Sequence, residues 1–451
     1  MTISPQQPAK RFLLELVTLG ALLAIAWFAT EALERDPTDG TDQAEWTAIS
    51  VVHVRQLGGK LPSGAARDES AGTLDPDPWR QGVQGTTFGW PNPSLHKIVW
   101  GLACDSITPE RVFPGTFLKY HQGELPKVQR AVQPLVPAIE RAQDIVALAS
   151  ALCAVLLFVL GRALAGQVGG FAAFALWLFH PMVRIWSHQA RPDFGMLALF
   201  LAVPALVLLL TPVLRGARGK SWQFAAWILM GLLAGMCAGT KLNGALAGFF
   251  LALCVPLLAL RDNADERPAR LPLIAASLSG GLVAAATLFA LFPYLWSAPL
   301  EHLGELREFW STHMAGHQDR WESFGGTATR TLGEKVAMMV SRLFGSDDPL
   351  SGWTGFRAGY VLLSTALVVL GLRAAGKSWF AGEPNAQAPA RTALLWIVVA
   401  IVGTTLWLPL EWDRYFFPGI AAAALAEGVM LGLLVELVRN RIRGRRTLLR
   451  G

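Results

Sequence analysis

Charge is scarce in this chain. Of its 451 residues only 16% are charged, whereas 53% are hydrophobic, and the mean hydropathy is +0.39. A soluble domain carries about 25% charged residues, so this balance excludes one and points to an integral membrane protein. Cysteine is also rare. Cys153, Cys237 and Cys254 fall in apolar runs and Cys104 stands alone, which gives neither a disulfide framework nor zinc-ligand spacing. No internal repeat is visible. The net charge of +6 is not a nucleic-acid signal, because the basic residues sort by connection, and no nucleic-acid partner is expected.

Apolar runs near 20 residues recur along the chain and predict an all-α polytopic bundle. About ten spans are expected, at roughly 12–33, 141–161, 166–180, 193–211, 222–239, 243–260, 271–296, 355–373, 391–410 and 416–437. The first has no small-residue cleavage site behind it and reads as a retained helix. Alternate connections differ in charge. One set holds Lys10, Arg11, Arg162, Arg215, Arg218, Lys220, Arg261, Arg267, Arg270, Arg373, Lys377, Arg391 and an arginine-rich tail over 438–451. The opposite short connections carry only Arg184, Arg191, Lys241 and Arg414. The positive-inside rule then places both termini in the cytoplasm. Two long loops, 34–140 and 297–354, fall on the far side of a single membrane domain spanning 1–451.

The first long loop opens with ERDPTDGTDQAEWTAIS, which sets Asp36, Asp39, Asp42 and Glu45 at a membrane surface. Carboxylates there need a reason, and chemistry on a substrate held at the interface is one. Two helices are expected in this loop. Gln43 to Leu57 carries Trp46, Ile49 and Val52 loosely on one face. From Pro91 to Ser106, Leu95, Ile98, Val99 and Leu102 follow helical spacing behind a Pro-Asn-Pro start. Such helices lie in the interface plane with the apolar side down. They serve equally well as scaffolding or as the lining of a pocket.

Each short far-side connection offers a cation. HPMVRIWSHQARPDFG holds Arg184, Arg191 and Asp193; GTKLNG holds Lys241; EWDRYFFPG holds Asp413, Arg414 and Tyr415. Singly, each cation snorkels to headgroups or pairs locally, as Arg191 with Asp193 or Asp413 with Arg414. As a set they fit a shared anionic ligand such as a lipid phosphate. His313 and His317, four residues apart, leave room for a divalent metal if their segment is helical, against a reading as surface histidines. Asp347 and Asp348 read as a turn. Glu427, inside the last span, is expected to face the bundle. The rest of the second long loop reads as a lid, an acceptor-recognition element or a plain connector.

Six segments in order carry a resemblance: TDQAEWTAIS, WPNPSLHKIVWGL, HPMVRIWSHQARPDFGMLALF, GTKLNGALAG, LFPYLWSAP and DRYFFPG. Together they resemble the GT-C glycosyltransferases, specifically the branch of protein O-mannosyltransferases and aminoarabinose transferases that uses polyprenyl-phosphate-linked sugars. The sequence departs from that pattern twice. Gln43 stands where the acidic motif has its second acid, and Asn92-Pro93-Ser94 stands where His-Pro-Pro or Lys-Pro-Pro is usual. His96 and Lys97 follow close behind, and Lys97 either substitutes for the family's contact or is solvated.

The resemblance implies a sugar moved from a polyprenyl-phosphate donor to an acceptor hydroxyl on the far side of the membrane. A lipid phosphate is a good leaving group, so one general base suffices for in-line, inverting attack. Asp42 matches the first acid of the motif, ahead of Asp39, Glu45 and Asp36. Arg191, Lys241, Arg414 and then Arg184 are the expected phosphate ligands, as preorganised positive charge. Glu45, Asp193, His96, Lys97 and Tyr415 are expected to touch substrate. No cofactor is implied beyond the optional divalent ion. The competing class is a transporter or lipid-linked-sugar flippase, which usually shows repeats and polar groups at the midplane. The composition suits a bacterium of high genomic GC, hence its inner membrane.

Overall fold

The computed structural model describes residues 6–31, 41–57, 94–108, 132–259, 270–296, 298–323, 328–343, 384–407 and 413–448. Within these, the side chains of Asp42, Glu45, Val52, His313, His317 and Asp413 are not described. Asp36, Asp39, Asp347, Asp348, the Pro-Asn-Pro segment and the expected span at 355–373 lie outside the described residues.

The described elements are helices. In chain order they are α1 (Gln6–Glu31), α2 (Thr41–Leu57), α3 (Leu95–Cys104), α4 (Val136–Phe179), α5 (Pro181–Trp186), α6 (Asp193–Leu214), α7 (Lys220–Thr240), α8 (Leu246–Ala259), α9 (Arg270–Ala290), α10 (Pro299–Ser323), α11 (Leu332–Leu343), α12 (Pro384–Trp407) and α13 (Phe417–Leu448). Six helical stretches are long and apolar enough to cross a membrane, by length and composition: Gln133–Phe179, Asp193–Leu214, Lys220–Thr240, Leu242–Ala259, Arg270–Ala290 and Phe417–Ile442. Shorter apolar stretches occupy Glu15–Thr30 and Arg391–Trp407. The protein is a multi-pass membrane protein.

The first of the six is two antiparallel helices. The backbone breaks at Ala165 and Gly166, where Gly166 has φ +69°, a conformation that costs an L side chain and suits glycine. Beyond the break the chain folds back. The indole of Trp177 donates to the Ser150 carbonyl at 3.2 Å, and the rings of Phe158 and Phe171 meet edge to face at 5.0 Å. The two arms coincide with the apolar segments expected at 141–161 and 166–180. At the turn end, Arg162 makes an ion pair with Glu15 of α1.

One expected span ran too far. Hydropathy carried the seventh to residue 296, but α9 stops at Ala290 and a 3-10 turn follows at Pro293–Leu295. Pro293 lacks an N–H and clashes with the preceding turn of a helix. Phe292, Tyr294 and Leu295 are apolar because they are buried in the protein around His302 and Leu306. They do not line a membrane helix.

The two loop helices pack as a unit against the bundle. A Cβ on Gly101 of α3 would meet the Ser50 carbonyl oxygen of α2 at 2.2 Å, so only glycine permits this approach. Arg55 near the end of α2 bonds Asp105 Oδ1 at 2.6 Å and the Thr108 carbonyl at 3.1 Å. The face expected to be apolar on α2 is not distinct, since Gln43, Thr47, Ser50 and His53 are buried along with Trp46 and Ile49. On α3 the apolar stripe faces out. Val99 and Leu102 are exposed, whereas His96, Lys97 and Trp100 are buried.

Candidate active site

Three inter-helix connections meet at one end of the bundle. α4 ends there, and after α5 a short turn leads through Ala190 and Arg191 to Asp193, the first residue of α6. Further along the chain, α7 returns to the same end and breaks at Lys241, whose backbone is extended. A 3-10 turn at Asp413–Tyr415 opens α13. The helix ends are where backbone direction changes and long polar side chains can converge.

At the centre sits the carboxylate of Asp193, 2% exposed. Its Oδ1 lies 2.5 Å from the Lys241 ammonium, and Arg414 and Arg191 act on it electrostatically. Lys241 Nζ also lies 5.2 Å from the Tyr415 ring centroid, and the Arg414 guanidinium lies 5.8 Å from the same ring. Arg191 stacks on Trp186 with its guanidinium carbon 4.5 Å from the ring centroid. Three cations thus surround one described carboxylate. Burial pushes the Lys241 pKa down, and Asp193 pulls against it while Arg414 adds to the fall. Burial pushes the Tyr415 phenol up.

A second group of bases lies next to this cluster. His96 Nδ1 is 2.9 Å from the carbonyl oxygen of Thr240, the residue before Lys241. A carbonyl accepts, so Nδ1 carries the proton. The imidazole is held between Trp46 and Trp100, with centroids 4.8 and 5.7 Å away. Lys97 is 3% exposed, and burial brings its pKa down to about 7. The solvated reading of Lys97 therefore falls. His96 is held well below the usual histidine value by burial, with Lys97 next. His53 is brought to about 3 by the same two causes.

The structure therefore brings together Arg191, Asp193, Lys241, Arg414 and Tyr415, with His96 and Lys97 adjoining. The Arg184 side chain is exposed on α5. Asp42 and Glu45 lie in the first turns of α2, whose next residue, Gln43, accepts a hydrogen bond from the Ala190 N–H at 2.9 Å. Asp193 pairs with Lys241 from a distant helix end, and its neighbour Arg191 also acts on it electrostatically. Trp186, Trp46 and Thr240 complete the site without having stood out in the sequence. Only the tryptophan before SHQAR offered a signal, as a platform within reach of an arginine. Among the described residues, no group of three or more His, Cys, Asp or Glu could hold a metal ion.

No protein-family model matches this sequence, and no curated protein matches it. Solved structures do match. The oligosaccharyltransferase of Archaeoglobus fulgidus, tethered with an acceptor peptide containing the NVT sequon, superposes with a TM-score of 0.54 at 11% identity. The match covers 94% of this chain and 50% of that one. The archaeal oligosaccharyltransferase AglB from Archaeoglobus fulgidus, in complex with an inhibitory peptide and a dolichol-phosphate, gives a TM-score of 0.50 at 13% identity, covering 96% and 52%. ArnT from Cupriavidus metallidurans bound to undecaprenyl phosphate gives 0.47 at 15% identity, covering 92% and 59%. The chain spans about half the length of AglB. Over nearly all of its own length, then, this chain shares its fold with about half of the Archaeoglobus fulgidus oligosaccharyltransferase.

Proposed function

We propose that this protein transfers a sugar from a polyprenyl-phosphate-linked donor to an acceptor hydroxyl at the extracytoplasmic face, with inversion, and that Asp42 is the general base. The observation that carries this reading is the convergence of Arg191, Lys241 and Arg414 on one buried carboxylate, Asp193. Three cations against one described anion leave an excess of positive charge suited to a phosphate. The fold shared with AglB, whose structure with dolichol-phosphate was solved, supports a lipid-linked donor.

In this reading Arg191, Lys241 and Arg414 neutralise the phosphate as the glycosidic bond breaks, in a site preorganised before reaction. Asp193 orients Lys241 and keeps it charged against the pull of burial. Tyr415 gives Lys241 and Arg414 a common aromatic face. His96 and Lys97 line the donor side from α3, and Glu45 lies one turn from Asp42 towards the acceptor. Arg184, exposed on α5, meets the phosphate on its approach. The attacking hydroxyl loses its proton to Asp42 as its oxygen bonds the anomeric carbon, and the lipid phosphate leaves with the bond's electrons. About ten spans with both termini cytoplasmic, in a bacterial inner membrane, complete the assignment.

The test uses purified wild-type protein and Asp42→Asn, each incubated with pooled polyprenyl-phosphate sugars and a membrane extract. Donor loss is followed by mass spectrometry. Loss of one donor with wild type alone supports the reaction and the base, and identifies the sugar. Equal loss with both removes Asp42 from its role. No loss with either, alongside lipid moving across vesicles, favours a flippase instead.

A further inference from the structure

Gln43 follows Asp42 directly and is 1% exposed. Its Oε1 accepts two hydrogen bonds, from the Ala190 backbone N–H and from Gln143 Nε2, each at 2.9 Å. A backbone N–H can only donate, so the Gln43 amide has one orientation. That in turn makes Gln143 the donor of the second bond. The Gln143 carbonyl is then left buried without a partner among the described residues. A buried acceptor without a partner costs about 1–3 kcal/mol, whereas two apolar residues of the same shape would be nearly neutral. Stability alone does not account for this arrangement.

The bonds join three elements: the first turn of α2, the buried side of α4, and the turn that runs from Ala190 through Arg191 to Asp193. We propose that Gln43 is a positioning residue, a clasp that fixes the backbone of Asp42 against the Ala190–Asp193 turn and so sets the base against the phosphate-binding cations. This inference rests on the transferase reading. In-line displacement needs the base and the leaving-group ligands on opposite sides of one carbon at a fixed spacing. A displacement of about 1 Å can cost on the order of 100-fold in rate. The amide supplies the acceptor that the clasp needs without adding a second carboxylate beside Asp42, where it would raise the pKa of the base.

The test compares wild type, Gln43→Met and Gln43→Glu in lipid nanodiscs, using the donor that wild type depletes from the pooled lipids. Gln43→Met removes the acceptor at similar volume. It is expected to lower kcat by roughly 30- to 100-fold with donor KM within about twofold. Gln43→Glu keeps an acceptor for both donors and is expected to recover kcat to within about fivefold of wild type. Amide hydrogen exchange around Ala190 should quicken in Gln43→Met and slow again in Gln43→Glu.

Equal kcat losses in both variants, wild-type turnover in Gln43→Met, or a rise in KM at unchanged kcat would overturn the assignment. If Gln43→Met does not fold, Gln43→Met/Gln143→Met, which also removes the amide left behind, takes its place under the same criteria. A wild type that consumes no donor sinks the transferase reading. The exchange comparison then still decides whether the clasp holds the turn.

Discussion

Asp193 and Lys241 lie 48 positions apart in sequence, yet their charged groups meet at 2.5 Å. Asp193 opens one helix and Lys241 follows the end of the next, so the pair closes an antiparallel helix couple at its site end. Arg191 and Arg414 face the same carboxylate. Asp193 is therefore the single described anion that holds three cations together.

Removing that anion should cost more than removing any one cation. Asp193→Asn leaves three buried or half-buried cations facing one another, and losing one member of a buried pair typically costs about 3–5 kcal/mol. Lys241→Met should cost less, because Arg191 and Arg414 still answer the carboxylate. Thermal unfolding in detergent should rank Asp193→Asn below Lys241→Met, and Lys241→Met below wild type. The reverse order would show that Asp193 is not the centre of the cluster.

Lys97 predicts an alkaline stability trend. Its pKa falls from the ordinary 10.5 to about 7 on folding. Between those values the unfolded chain binds the proton and the folded one does not, so stability rises with pH there. It is highest above 10.5, declines as pH falls, and the loss is complete below 7. Lys97→Met should flatten this trend. His53, brought to about 3, should add a second loss as pH drops below 6.5. Unfolding temperatures measured from pH 5 to 10 check both.

Position decides among the arginines. Arg191→Ala and Arg414→Ala should each raise donor KM or lower kcat by about tenfold or more, as expected for a charged hydrogen bond worth about 1.5–3 kcal/mol. Arg184→Ala, on an exposed side chain, should stay within about twofold. A steady-state comparison of the three in one lipid composition separates them. A large effect at Arg184 would mean that the donor phosphate sits further out than the cluster.

The α2–α3 contact predicts a steric effect. In Gly101→Ala the new Cβ meets backbone, the Ser50 carbonyl at 2.2 Å, and the Val54 side chain at 2.4 Å. Overpacking of this kind costs about 1–3 kcal/mol. Since α2 carries Asp42 and α3 carries His96, turnover should fall along with unfolding temperature. An unchanged protein would show that the two helices are free to separate.

Much of the fold was legible because a bilayer makes helix prediction local. Backbone groups must be satisfied within each segment, so a run of apolar residues is nearly a structure in itself. The two apolar segments around residue 165 were legible for this reason, and the backbone breaks between them at Ala165–Gly166. Hydropathy failed at Phe292 to Leu295, since it cannot tell residues buried in protein from residues buried in lipid. It also could not show that α3 turns His96 and Lys97 inward and Val99 and Leu102 outward, as apolar spacing gives a face but not a neighbour.

At the site, charge patterning along the chain already set which residue types gather at the connections: cations where that side is otherwise poor in them, and acids at the start of α2. The pairings came from helix packing. Asp193 takes Lys241 from a distant helix end in addition to its neighbour Arg191, Lys97 is buried rather than solvated, and Gln43 becomes a tie to Ala190. Each of these depends on which helix ends share one end of the bundle. A hydrogen bond or ion pair forms within about 3 Å, and no spacing along the chain encodes that distance between residues 48 or 147 positions apart.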